Sequence, residues 1–175
     1  NAVHPTLNPD CRPGKPEIKD EVSYLLGTRY RTNNDITLIW EYYFNGLGNT
    51  VSEQQQFYSC VHEAWETGDS GIIERLPVGK DLDKGPFTRP NPMRRYMNFR
   101  LWWEEPRNIL YLTPGLQVLY NLDDRSYSVS PEIIYTGYEN LELRLRATVP
   151  VGDPLTEWGE KPNQFKIALR ARYYF

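Results

Sequence analysis

Seven stretches of this chain alternate apolar and polar residues with a period of two: 21–32, 34–45, 94–104, 108–121, 126–138, 140–150 and 163–175. Such alternation marks a strand with one apolar and one polar face. In the last stretch, Phe165, Ile167, Leu169, Ala171, Tyr173 and Phe175 fall on one face, and Lys166, Ala168, Arg170, Arg172 and Tyr174 on the other. The stretch before it sets Leu141, Leu143, Leu145, Ala147 and Val149 against Glu142, Arg144, Arg146 and Thr148. Strands of soluble sandwiches average about five or six residues, whereas a strand crossing a bilayer at a tilt needs about nine to eleven. Length therefore predicts an all-β chain whose seven antiparallel strands form part of a larger transmembrane β-barrel.

The aromatic residues, 13 Tyr, 5 Trp and 6 Phe, gather at the ends of these stretches. Tyr24, Tyr42, Phe44, Tyr120 and Tyr127 mark one set of ends, and Tyr30, Trp103, Tyr135, Tyr173 and Phe175 the other. Two aromatic belts flanking an aliphatic band suit a lipid-facing surface, because amphipathic rings sit well at headgroup level. Other classes are poorly served. The longest apolar run is Ile109 to Leu112, far short of the roughly 20 residues of a spanning helix. With 20 Lys+Arg against 23 Asp+Glu there is no basic excess for nucleic acid. Gly-x-Ser-x-Gly, phosphate-binding glycine loops and Cys-x-x-Cys-His are absent, so neither an enzyme nor a cofactor is expected.

The chain ends on Phe175 with the aromatic Tyr173 two places before it, as a C-terminal assembly signal requires, whereas Ala168 and Arg170 depart from the polar and glycine residues usual in that signal. In this it resembles the C-terminal part of a Gram-negative, porin-like outer-membrane β-barrel. The resemblance implies a bacterial outer-membrane location, lipid as a partner, and a C-terminus on the periplasmic side. Tight periplasmic turns are then expected at Thr32–Asn34, Glu105–Arg107 and Glu139. Gly46–Met93, Leu122–Arg125 and Val151–Pro162 become the outer connections. Seven strands place residues 1–20 outside, whereas a complete barrel has an even strand count. The expectation is a single unit, 1–175, completed by missing N-terminal barrel strands or by companion chains. Pro114 and Pro131 fall inside expected strands, where each removes a ladder donor, so bulges or local openings are expected there.

By alternation the polar face carries Arg29, Arg31, Arg100, Arg144, Arg146, Lys166, Arg170 and Arg172 against Glu41, Glu104, Glu132 and Glu142. An excess of arginines on a pore wall favours anions, because low-dielectric walls focus their field. The predicted function is a channel for small polar or anionic solutes, with Arg29, Glu41, Arg100, Glu132, Glu142, Arg144, Arg146, Lys166, Arg170 and Arg172 lining the pore. The alternatives are a barrel that sheaths or anchors a partner such as an electron carrier, and a soluble lipocalin-like binding barrel. The 46–93 loop is too long for a structureless connector. Ser52 with Gln55 resembles a capping box, and Phe57, Cys60, Val61, Ala64 and Trp65 recur at helical spacing until Gly68. A short helix there could narrow the mouth or cap the rim. Cys11 and Cys60 lie on the same outer side, where a disulfide persists; with His4 and His62 they could otherwise supply four metal ligands.

Overall fold

The computed structural model describes residues 2–4, 11, 17–19, 22–68, 71 and 90–175. Near the start, β1 (Ala2–His4) pairs antiparallel with β2 (Glu17–Lys19), a ladder the alternation did not announce. The principal sheet follows in strict chain order: β3 (Tyr24–Arg31), β4 (Ile36–Phe44), β5 (Arg95–Trp103), β6 (Leu112–Asn121), β7 (Tyr127–Tyr138), β8 (Leu141–Val151) and β9 (Lys166–Tyr173). Every neighbour is antiparallel. The helix α1 (Val51–Thr67) interrupts the meander between β4 and β5.

Among the described residues the sheet is not closed: β3 and β9 each have one neighbour and stand as free edges. It is nonetheless strongly curled. Arg29 of β3 and Arg144 of β8 line one cavity of about 510 Å³, although five strand spacings of about 4.8 Å would separate them by about 24 Å in a flat sheet. The polar face is the concave one. Its Glu132 is 6% exposed, whereas Leu145 on the opposite face is 46% exposed. Polar residues fill much of the buried set, including Thr37, Asn98, Ser128 and Ser130. Leu26, Trp40, Phe99, Leu116, Ile133, Ile167 and Leu169 face outward. Among the described residues, the buried apolar cluster lies at α1, where Phe57, Cys60 and Ala64 pack with Cys11. The sheet itself has no oily interior.

Proline is accommodated without bulges. Pairing between β7 and β8 keeps one register from Val129–Val149 to Tyr135–Leu143, but Ser130–Thr148 and Pro131–Ala147 drop out of the ladder. The missing Pro131 N–H thus leaves a local gap, bridged by a 3.0 Å hydrogen bond between Ser130 Oγ and Thr148 Oγ1. Pro114 sits just past the last β5–β6 pair, Trp102–Gly115, where no donor is required. The register does shift between Tyr135 and Tyr138, away from either proline. The connection expected to be tight at Glu105–Arg107 instead runs to Tyr111. Positive φ at Glu105, Arg107, Asn108 and Tyr111 cannot continue a strand, so residues 108–111 leave the strand that alternation assigned them.

The helix begins earlier than the sequence suggests. Thr50, not Ser52, is its N-cap: Thr50 Oγ1 accepts from the Glu53 backbone N–H, and the Glu53 carboxylate accepts from the Thr50 N–H at 2.7 Å. Gly68 ends it in the left-handed conformation at φ 67°, which glycine adopts without steric cost. Seventeen residues make it four turns and more, longer than a short cap.

Candidate functional site

Residues opposite one another in an antiparallel ladder share a face, so the register assigns every side chain. One row runs Arg31, Thr37, Trp102, Gly115, Glu132, Arg146, Ala168 across the whole sheet. The next begins Arg29, Ile39, Arg100, Gln117, Ser130. Counting in steps of two from these rows puts Arg29, Glu41, Arg100, Glu132, Glu142, Arg144, Arg146, Lys166, Arg170 and Arg172 all on the concave face.

The carboxylates on this face are already engaged. Glu132 Oε2 accepts from Arg146 Nε at 3.0 Å and Nη2 at 2.7 Å, and its Oε1 accepts from Trp102 Nε1 at 2.7 Å. Glu41 accepts from Asn98 Nδ2 at 2.6 Å, and the Asn98 Oδ1 accepts from Gln117 Nε2 at 2.9 Å. Glu104 holds Arg31 at 2.8 Å. Glu142 meets Arg144 only at 3.5 Å. Arg29, Arg100, Lys166 and Arg170 form no ion pair with the described residues. The Nε groups of Arg100 and Arg144 are shielded from solvent with no hydrogen-bond partner. The result is a trough with surplus positive charge, able to hold or pass anions by charge-assisted hydrogen bonds.

Trp102 is the residue the charge count passed over. It lies on the polar face because of alternation alone, and its indole fits there because Gly115 has no side chain: a Cβ on Gly115 would stand 2.6 Å from Trp102 Cδ1 and 3.1 Å from Glu132 Cγ. A glycine opposite a tryptophan in a strand was the available signal.

At one end of the trough the long connections meet. Tyr96 and Asn121, both on the polar face, are almost fully buried, and both donate to Glu157 Oε2, at 2.7 and 2.8 Å. Tyr96 Oη also accepts from the Met93 N–H at 2.8 Å. Burial pushes the Glu157 carboxyl up to about 7. The Asp123–Asp124 hairpin dispenses with glycine by using its own side chains. Asp123 accepts from the Arg94 and Arg95 backbone N–H groups, and Asp124 from Ser126 and the Glu157 N–H. Asn49 Nδ2 donates to Gln54 Oε1 at 2.8 Å at the start of α1, and His62 Nε2, 2.8 Å from Glu160 Oε2, ties the helix to the β8–β9 connection. These connections therefore fold over the polar side of the sheet. Cys11 and Cys60 form a disulfide with Cα atoms 5.6 Å apart, so neither sulfur is a free thiolate for the alternative metal set; the His4 side chain lies outside the described residues.

Aromatic rings cluster at both ends of the strands. Tyr24 stacks on Phe44 and Tyr120 on Tyr127 at the loop end, with centroids 5.2 and 6.1 Å apart. Tyr135 meets Tyr138, and Tyr173 meets Phe175, at the other end. Comparison with protein-family models, curated proteins and solved structures gives no match for this chain.

Proposed function

We propose that this chain is a sector of the wall of a bacterial outer-membrane β-barrel, porin-like in character, and that its concave face lines a channel for polar or anionic solutes. The observation that carries the reading is the inversion of the sheet, with charged side chains in the hollow and aliphatic side chains on the outside. In water that arrangement leaves a large apolar surface unpaid for by burial; in a bilayer the apolar face is solvated and the hollow holds water. A soluble lipocalin-like barrel needs the opposite orientation. The aromatic clusters at both strand ends fit the two interfaces.

The free edges fix what else the wall requires. In hydrocarbon every backbone polar group needs a partner, so β3 and β9 must both be paired. After six antiparallel steps they run in the same direction. Pairing them directly, within one copy or between copies in a ring, would make a parallel seam. An all-antiparallel closure calls for an odd number of further strands, from the same polypeptide or from companion chains, and gives an even total.

The test is the current through the native protein in a planar bilayer under a salt gradient. Stable steps with a reversal potential of anionic sign are expected, and exchanging Arg100 for Gln should reduce that preference. A cation-selective pore would overturn the anion reading. An inserted but silent barrel would overturn the channel and favour a wall that sheaths or anchors a partner protein.

A further inference from the structure

We infer that the concave face of β8 and β9 is a binding track for an extended polyanion, a solute bearing three or more carboxylate or phosphate groups along its length. The inference rests on the concave face being the water-filled side of the wall. A cavity of about 330 Å³ lies against these strands, lined by Arg144, Arg146, Thr148, Lys166, Ala168 and Arg170, with no carboxylate among them. Arg144 and Arg170 are directly opposed in the ladder, and like charges so placed repel. Two arginines of the face are balanced, Arg146 by Glu132 and Arg31 by Glu104, while Arg29 and Arg100 stand apart on β3 and β5. Here the balance is missing. Arg144 reaches Glu142 only at 3.5 Å, its Nε has no partner, and Lys166 and Arg170 form no ion pair with the described residues.

Spacing sets the class of ligand. Lys166, Arg170 and Arg172 occupy one face of β9 over six residue steps, about 20 Å of strand at about 3.4 Å per residue. A monovalent ion needs one cationic pair; a row of this length suits a chain of anions lying along the strand. Guanidinium forks match planar carboxylate and tetrahedral phosphate edges alike, so the recognised chemistry is the repeated oxyanion.

The probes are inorganic tripolyphosphate and a penta-glutamate peptide, titrated calorimetrically into the native protein in detergent at about 0.15 M chloride, with orthophosphate as reference. At least one oligoanion is expected to bind ten-fold or more tightly than orthophosphate, and which one does so tells phosphate from carboxylate. The double variant R144Q/R170Q should weaken it at least ten-fold. R144K/R170K, which keeps charge but loses the forks, should fall between, and R125Q in the β6–β7 hairpin should leave it unchanged. Oligoanions binding no better than orthophosphate, or binding untouched by R144Q/R170Q in a protein that keeps its strand circular dichroism, would overturn the inference. The two readings separate cleanly: an anion-selective pore without oligoanion binding sinks the track alone, and oligoanion binding by a silent barrel sinks the channel alone.

Discussion

Glu157 shows how much one side chain can carry. It sits 1% exposed between Tyr96 and Asn121, and burial raises its carboxyl to about 7 from an ordinary 4.5. The native state therefore holds this proton more tightly than the unfolded chain does. Its contribution is complete below about pH 4.5 and is lost as pH rises through about 7, by about 3 kcal/mol in all. Hydrogen exchange in residues 51–67 and 152–165 should quicken from pH 5 to pH 8 beyond the intrinsic rate change. E157Q, which keeps an acceptor for Tyr96 and Asn121, should remove that dependence; an unchanged pH profile would count against the burial argument. Gly115 is a second single-residue hinge of the account. In G115A the new methyl displaces Trp102 and breaks its bond to Glu132, at a cost of about 1–3 kcal/mol, measurable by urea denaturation in detergent. The Glu157 contacts were not legible in the sequence. Tyr96 and Glu157 are 61 residues apart, and no local pattern connects them. The placement of charged residues on one face, by contrast, follows from alternation and needed no tertiary information.

At the scale of elements, periodicity revealed all seven strands of the main sheet because each is long and two-faced. It failed where backbone conformation overrides side-chain pattern. Ile109, Leu110 and Tyr111 read as strand, yet the left-handed residues at 105, 107, 108 and 111 turn them into a connection whose three apolar side chains are more than half exposed. Pro131 opens the β7–β8 ladder locally, as its missing donor requires, and a hydrogen bond between two hydroxyls crosses the gap. The helix was visible from its spacing, but its start was misplaced by two residues because Thr50–Glu53 and Ser52–Gln55 offer the same motif. α1 depends on tethers more than on the sheet. The Cys11–Cys60 bridge spans 49 residues, which in the chain-entropy account is worth about 4 kcal/mol. Reduction, or C60S, should accelerate hydrogen exchange through 51–67 while β5–β8 stay protected. Loss of protection in the strands as well would mean that the bridge supports the sheet and not the cap alone.

For the whole molecule, the inversion of polar and apolar faces governs the proposed reading: the cationic hollow follows from it directly, and interfacial belts and further strands follow if the apolar face meets lipid. A mean hydropathy of −0.65 is no obstacle to that reading, because one face of every strand is polar and so are the connections. A lipid-facing substitution should be costly where a hollow-facing one is not. L145R is expected to cost about 2–4 kcal/mol of stability in a bilayer, against little for A168E, which stands opposite Arg146 on the other face. The most direct test places nitroxide labels singly at 142 through 147 of β8 in the full chain, with the native disulfide intact, in lipid bilayers. The account expects oxygen accessibility to peak at Leu143, Leu145 and Ala147, and access to a water-soluble nickel chelate to peak at Glu142, Arg144 and Arg146. Equal aqueous access at all six positions, or the opposite phase, would contradict it.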